Sequence, residues 1–346
     1  MPRSLTELSL NISEEMYRDM PQLSYSTIAK YEKGGFSSIP KLFEEASPTD
    51  ALMFGSAVDT IITKGAYEFK EKFYVADIVS PSEALLLIVN NLLNCTEQTF
   101  EEITDDAILN VCNDLGYCSK MTDAVRVQRV REGCTKFYNA VKASAGKTVI
   151  TNKMYEDVLH TVNALLDGPM SKYLQPEREQ HPIEFLYQQK FNTILEGLEV
   201  KMMADLLIIN HEKKMIIPID LKTTSLPEYC FPQKYLENRY DIQAKLYWHI
   251  LRDVLDKDDY FKDFTLLNFR FIVINKNSLT PLMFEDDRCV NMKEEEITFK
   301  SGRKLILRDP ITIGKELKHY LDTAATLPDG FDQHQPVNIY NILLNG

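Results

Sequence analysis

Several patterns that mark large classes of protein are absent from this sequence. No two of its cysteines form a CxxC pair, so the paired knuckle that most zinc and iron–sulfur sites use is missing. The longest apolar run, Ala84–Val89, is far shorter than the roughly 18 residues of a membrane helix. The N-terminus also lacks the basic-then-apolar layout of a signal peptide. We therefore expect a protein of the reducing cytoplasm that makes no membrane contact.

Nucleotide-binding and common hydrolase motifs are missing too, since no GxGxxG, Walker, GxSxG or HExxH pattern occurs. Positive charge is scarce: 39 Lys and Arg residues stand against 51 Asp and Glu, a formal net charge of −12. Proteins that bind nucleic acid usually carry a basic balance, although net charge governs long-range steering more than the chemistry of a local groove. Nonspecific binding to DNA should therefore be weak at physiological salt.

The residues that are present fit a globular chain with a sizeable core. Its 346 residues are 44% hydrophobic and 26% charged. In the first half, Ala51–Thr63 is apolar on nearly all sides, which indicates a buried helix, and Asn152–Leu166 has the spacing of an amphipathic helix. After residue 180 strands become frequent. We predict an α/β protein in which residues 1–175 form a mainly helical region, and residues 176–346 form a core with a mixed central sheet flanked by helices.

Two turns divide the first three predicted strands, at Asn192–Glu196 and Asn210–Lys213. The strands on either side of the second turn are apolar on both faces, which indicates a sheet covered on both sides. Asp205 and Asp220 interrupt these strands, and burying an unpaired charge is expensive. If the hairpin turn is centred on Glu212–Lys213, Asp205 lies opposite Asp220 on the same face.

Two bare carboxylates at this separation repel each other, and a divalent cation removes the conflict. Carboxylate oxygens suit magnesium, with manganese as the alternative. Lys222 follows Asp220 by two positions, so both side chains point to the same face of the strand. A metal lowers the pKa of bound water, and a lysine orients that water or stabilises charge on a phosphate. The pattern indicates phosphodiester hydrolysis; the alternative is a plain salt bridge at a strand end.

The residues around this triplet resemble those of the PD-(D/E)XK nucleases, in particular the branch with RecB-type domains, the RecE exonuclease and phage recombination exonucleases. The positions that carry the resemblance are Glu184, Gly197, Lys201, Asp205, Asp220-Leu221-Lys222, Gln243 and Tyr247. Leu23–Ser26 is also similar to the LSxS segment of RecE-like phage proteins, and Phe54–Asp59 to their GxAxH helix. The likeness implies a restriction-endonuclease-like core.

Carried over position by position, the resemblance implies a set of catalytic roles. Asp205 and Asp220 would bind the metal, and Lys222 would be the catalytic lysine. Glu184 matches an acidic position near the site, where it would hold a second metal or a water; the alternative is a solvated strand charge. Asp59 stands where the family often has a histidine that ligates metal. The carboxylate oxygens of an aspartate would favour magnesium over manganese, because imidazole suits the softer ions. The alternative role of Asp59 is to cap or solvate a helix.

The resemblance also implies residues that contact DNA. Gln243 and Tyr247 match a QxxxY motif and share one helix face. They would touch the DNA backbone or brace the lysine, unless they only pack against the core. Ser26 belongs to the LSxS segment and is a further DNA-binding candidate. Thr223 lies beside Lys222 and would bind a phosphate, or simply end the strand.

The function expected from the resemblance is a magnesium-dependent exodeoxyribonuclease that acts on duplex ends in phage recombination. Its partners would be DNA and a single-strand annealing protein, and the chain would form a homo-oligomeric ring. Three alternatives stay open. The first is a single-strand or structure-specific endonuclease of DNA repair, the second a catalytically silent DNA-binding module of the same fold, and the third a metalloenzyme acting on a small phosphorylated molecule.

Overall fold

A computed structural model describes residues 3–43, 49–174 and 182–322. The chain forms two compact units, the first from Met1–Ser47 and Leu166–Gly346 and the second from Pro48–Leu165. These limits differ from the boundary predicted at residue 175, which stays a prediction. The first 47 residues belong with the sheet-containing unit, because their apolar side chains, such as Leu23 and Ile28, are part of its core.

The α-helices of the described residues are α1 Glu14–Asp19, α2 Tyr25–Gly34, α3 Asp50–Lys72, α4 Glu83–Cys95, α5 Asp105–Asp114, α6 Asp123–Ala143, α7 Asn152–Asp167, α8 Ser171–Leu174, α9 Phe231–Glu237, α10 Tyr240–Asp256 and α11 Pro310–Asp322. The strands are β1 Leu23–Ser24, β2 Phe73–Ala76, β3 Thr148–Thr151, β4 Ile183–Leu195, β5 Leu198–Asn210, β6 Met215–Thr224, β7 Thr265–Leu266, β8 Phe269–Asn275, β9 Leu282–Asp286, β10 Glu295–Thr298 and β11 Lys304–Leu307. In the part of the chain described, no helix has the length and apolar character to cross a membrane.

The first unit is built on a mixed sheet whose long strand β5 has neighbours on both sides. Strand β4 pairs with β5 antiparallel along its length. On the other side, β1 runs parallel to the start of β5, and β6 runs antiparallel to its end. Strand β8 then pairs parallel with β6 and antiparallel with β9. A mixed central sheet flanked by helices is the architecture expected from the sequence.

Turn chemistry sets the ends of the two long hairpins. Between β4 and β5, Glu196 and Gly197 have φ angles of 48° and 85°, a left-handed conformation that glycine adopts without strain. The turn predicted at Asn192–Glu196 therefore starts too early, because Asn192 still pairs with Lys201 in the ladder. Between β5 and β6 the turn spans residues 211–214, one residue later than predicted, because Asn210 still pairs with Met215 in the ladder.

Helix α10 forms much of the core of this unit. Its buried apolar side chains pack with those of β5 and β8, and each buried leucine or isoleucine is worth about 1.5–3 kcal/mol. The buried aliphatic members of the helix are Ile242, Ala244, Leu246, Ile250, Leu251 and Leu255. The N-terminal end of α10 lies beside the carboxyl end of β6, which is where the polar residues of the candidate site are found.

The second unit is mainly helical, as the sequence predicts for this stretch. Helices α4, α5 and α6 enclose a core of their own that includes Ile88, Phe100, Val130 and Tyr138. Strands β2 and β3 form a separate parallel pair. Helix α3 is broken at Gly65, whose φ of 83° and ψ of 177° are not helical.

Candidate active site

The β5–β6 hairpin brings Asp205 and Asp220 together. Its ladder ends where Leu206 pairs with Ile219, and the next pair in the same register is Asp205 with Asp220. The pairing register is the one expected from the sequence. Nearer its start, β5 pairs with β1 and no longer with β6. Asp205 Oδ2 accepts a hydrogen bond of 3.1 Å from the backbone nitrogen of Leu221. Both aspartates therefore lie where the hairpin opens.

Asp220 is the most constrained of the acidic groups here. Its side chain is only 4% exposed, and its Oδ1 accepts a hydrogen bond of 2.6 Å from Nε2 of Gln243. Its Oδ2 lies 2.8 Å from Nζ of Lys222 in an ion pair whose angles are not those of a hydrogen bond. The ammonium offsets the cost of burying this carboxylate. Both oxygens of Asp220 are therefore engaged, one by an amide and one by a cation.

Lys222 is held as a cation. Burial, the largest single effect, lowers the pKa of its ammonium, but Asp220, Tyr25, Tyr240 and Asp205 together outweigh burial, and the pKa is raised. The ammonium also lies over the ring of Tyr240, 4.7 Å from its centroid. Its positive charge is suited to a phosphate, since a proton-accepting amine is not available in this state.

Strand β4 is irregular at the position that faces Asp205. The β4–β5 ladder pairs the residues on either side, Tyr187 with Leu206 and Gln189 with Ala204, and omits Gln188. Gln188 has a φ of 52°, in the left-handed region that residues other than glycine rarely adopt. Strained backbone of this kind is enriched at functional sites.

Gln243 and Tyr247 lie on the inward face of α10 and are 3% and 7% exposed. Gln243 donates to Asp220, and the DNA contact and the lysine brace predicted for this pair stay predictions. Burial raises the pKa of Tyr247 well above its ordinary value, and the neighbouring Tyr17 and Asp220 add to the effect. The phenol therefore stays neutral beside the carboxylates.

The other two DNA-binding candidates are not adjacent to Lys222 on its face. Thr223 follows Lys222 in β6 and pairs with Ile274 of β8, so strand alternation points its side chain to the opposite face. Ser26 is exposed in the first turn of α2, with its hydroxyl 2.8 Å from Oγ of Ser24. The predicted DNA contact of Ser26 stays a prediction.

Glu184 lies away from the two aspartates. It pairs with Ile209, four residues along β5 from Asp205, which corresponds to about 13 Å of strand. Its carboxylate is engaged by Nε2 of His211 at 3.1 Å and by the hydroxyl of Ser4. The structure does not bring Glu184 to the predicted metal site, and its partners make it part of the packing at the far end of the sheet.

Asp59 belongs to the second unit, in the middle of α3. Its predicted role as a metal ligand stays a prediction. Tyr25 and Tyr240, by contrast, were not singled out by the sequence, although both lie near Lys222. Tyr240 precedes Gln243 by three residues on α10, and this helical spacing is the signal that would have found it.

The donor set fits a magnesium ion that keeps most of its water. Within residues 3–43, 49–174 and 182–322, no three His, Cys, Asp or Glu side chains are arranged to hold a metal ion. Magnesium does not require such a cage, since one or two carboxylates together with waters and substrate phosphates commonly suffice. Asp205 and Asp220 supply two carboxylates, and Oδ2 of Asp220 already faces a cation, the ammonium of Lys222.

Comparisons with known proteins give limited guidance. No protein-family model matches the chain, and no curated protein matches it either. Among solved structures, the chain is similar to a crystal structure from Eubacterium rectale of a protein provisionally named an exonuclease. The two share 13% identity, with a TM-score of 0.40 over 97% of this chain and 99% of the other. A likeness of this size carries no argument about function, which is left to the site itself.

Proposed function

We propose that this protein is a magnesium-dependent nuclease with a PD-(D/E)XK active site, formed by Asp205, Asp220 and Lys222. One observation carries the proposal. Two aspartates, Asp205 and Asp220, lie in register where the hairpin opens, and the ammonium of Lys222 lies 2.8 Å from Oδ2 of the buried Asp220. A plain structural salt bridge does not need a second aspartate in register beside it.

Each residue has a distinct part in this proposal. Asp205 and Asp220 would hold the magnesium ion, which would supply Lewis acidity and a more acidic bound water. Gln243 fixes the orientation of Asp220 by donating to its Oδ1. The ammonium of Lys222 would lie beside the phosphate, because a preorganised cation stabilises the negative charge that develops in the transition state. Manganese would bind the same oxygens.

The expected substrate is DNA, and the expected reaction is hydrolysis from duplex ends. A net charge of −12 favours an enzyme that relies on local contacts and enclosure over long-range attraction to DNA. Action within phage recombination, a single-strand annealing partner, a homo-oligomeric ring and a cytoplasmic location remain part of the same proposal. A ring would admit DNA only at an end, which would make an endonuclease-like site act as an exonuclease.

The test is digestion of end-labelled linear duplex DNA and of closed circular DNA, with magnesium and with EDTA. We expect linear DNA to be degraded only with magnesium, and Lys222→Ala to lose most of that activity. Lys213→Ala, at the exposed turn of the same hairpin, is the matched control and should retain it. Equal cleavage of circular DNA would favour the endonuclease. Absence of cleavage on every DNA and RNA substrate would favour a silent binding module.

A further inference from the structure

The ammonium of Lys222 has two close neighbours, a carboxylate oxygen and an aromatic ring, which respond differently to a bound cation. Oδ2 of Asp220 lies 2.8 Å from Nζ, and the ring centroid of Tyr240 lies 4.7 Å from it. The first contact is an ion pair, and the second places a cation over the negative face of an aromatic ring. Only the second is independent of what else binds to Asp220.

A divalent cation would compete with Lys222 for the same oxygen. Oδ1 of Asp220 is occupied by Gln243, so a cation binds most readily at Oδ2, the atom that now faces the ammonium. Two positive groups cannot both stay within contact distance of that oxygen without repulsion. Binding of the cation therefore loosens the ion pair, and Lys222 needs another group to keep it beside the metal.

Neighbouring aromatic rings hold the ring of Tyr240 in place, so that it can position Lys222. It stacks on Phe231 at 5.9 Å with an interplanar angle of 19°, and its centroid is 6.0 Å from that of Phe271. The residue before Tyr240, Arg239, has a left-handed φ of 55°. Nε of Arg239 donates a hydrogen bond of 2.9 Å to the carboxylate of Asp241. The ring contacts of Tyr240 and this hydrogen bond together hold the beginning of α10 in place.

We propose that Tyr240 is a positioning residue that keeps the Lys222 ammonium in place when a divalent cation takes Oδ2 of Asp220. This inference rests on the proposed nuclease function for its catalytic consequence. The contact itself can be tested without catalysis. The ring face, rather than the hydroxyl, does the positioning, so phenylalanine should replace tyrosine and an aliphatic residue should not.

The catalytic test compares Tyr240→Phe with Tyr240→Leu under magnesium. We expect the leucine variant to lose about 10-fold in kcat, in line with a partly desolvated cation–π contact, with KM for DNA unchanged. The phenylalanine variant should keep the kcat of the unaltered enzyme. Phe264→Leu removes a buried ring from the separate cluster with Tyr260 and Phe261 and serves as the packing control, with kcat retained. Equal losses in Tyr240→Leu and Phe264→Leu, or a full kcat in Tyr240→Leu, would overturn the proposal.

The second test uses NMR of protein labelled with ¹³C at the lysine ε position, with Lys222→Arg to assign the signal. A ring current should shift the Lys222 ε signal upfield in the unaltered protein and in Tyr240→Phe, with and without magnesium, and Tyr240→Leu should abolish the shift. Loss of the shift when magnesium is added to the unaltered protein would sink the inference. An inactive unaltered protein would instead refute the nuclease function and leave this measurement valid.

Discussion

Asp205 reaches across the open end of the β5–β6 hairpin and accepts a hydrogen bond of 3.1 Å from the backbone nitrogen of Leu221. This single bond gives the aspartate a structural task besides the metal-binding role proposed for it. The two tasks respond differently to substitution, because an amide oxygen can accept from a backbone nitrogen as a carboxylate does, whereas it is a poorer ligand for magnesium.

Asp205→Asn should separate these tasks. We expect the asparagine variant to keep the thermal midpoint of the metal-free protein and to lose the increase in midpoint that magnesium gives. Asp205→Ala should lose both, with a cost of about 1 kcal/mol for the missing hydrogen bond. Calorimetry with and without magnesium measures each effect, and a full magnesium response in Asp205→Asn would contradict the metal role.

Gln243→Glu places a second carboxylate against Asp220, 2.6 Å from its Oδ1. Repulsion between the two should lower the free energy of unfolding without metal, and magnesium should restore more stability in this variant than in the unaltered protein. Gln233→Glu is the matched control, because Gln233 also donates to a carboxylate, that of Glu237, at 2.7 Å, but on the exposed surface. Its effect should be small and independent of magnesium. Identical behaviour of the two variants would argue against a cation at Asp220.

The acid limit of stability should depend on Glu228. Its buried carboxylate accepts from the hydroxyl of Ser278 and from the backbone nitrogens of Asn275 and Thr280. Burial raises the pKa of this group, yet the hydrogen bonds outweigh burial and lower it. A lowered pKa means that the stabilisation is complete above the unfolded value of about 4.3 and is lost as the pH falls through the folded value.

Glu228→Gln should therefore cost about 1–3 kcal/mol at neutral pH, and the difference from the unaltered protein should shrink in acid. Urea unfolding between pH 7 and pH 3 measures it. Glu212→Gln, at the exposed hairpin turn, should show no such difference. A gap that stays constant across this range would mean that the charge of Glu228 contributes nothing.

Lys201 fixes the end of α1 to the sheet. Its buried ammonium donates to the backbone oxygens of Tyr17, Arg18 and Met20 at 2.8, 2.9 and 2.7 Å. Lys201→Met keeps the length of the side chain and leaves these oxygens without their donor, which should cost about 2–4 kcal/mol. Lys214→Met, at an exposed position, is the control. Denaturant unfolding monitored at two wavelengths decides whether the loss is local or global.

The sequence predicts the β5–β6 hairpin well because the information is local. Two apolar strands and a polar turn fix the register, and the register alone places Asp205 opposite Asp220. The position of Glu184 is not predicted in this way. The resemblance identifies its strand, but it does not say that Glu184 pairs with Ile209, four residues from Asp205. Sequence periodicity also does not predict that Gln243 points inward. Residues 241–247 of α10 are all buried, so this stretch has no solvent-facing side that a pattern could reveal.

Long-range contacts are the second source of error. Strand β1 has two residues and no periodic pattern, so nothing in the sequence connects the N-terminal segment to β5. Tyr25 follows it directly, and Tyr240 comes from the beginning of α10 more than two hundred residues later. Their meeting, with ring centroids 6.3 Å apart, is a product of the tertiary fold alone.

The discontinuous first unit has a practical consequence for dissecting this protein. A fragment that begins after Ser47 lacks Tyr25 and leaves Val200 and Lys201 without their β1 partner, although it contains every residue of the predicted triplet. Conventional truncation would thus yield an incomplete first unit in which the start of β5 loses a neighbouring strand. A minimal version calls for excision of Pro48–Leu165 and a joining linker, keeping both outer segments in one polypeptide.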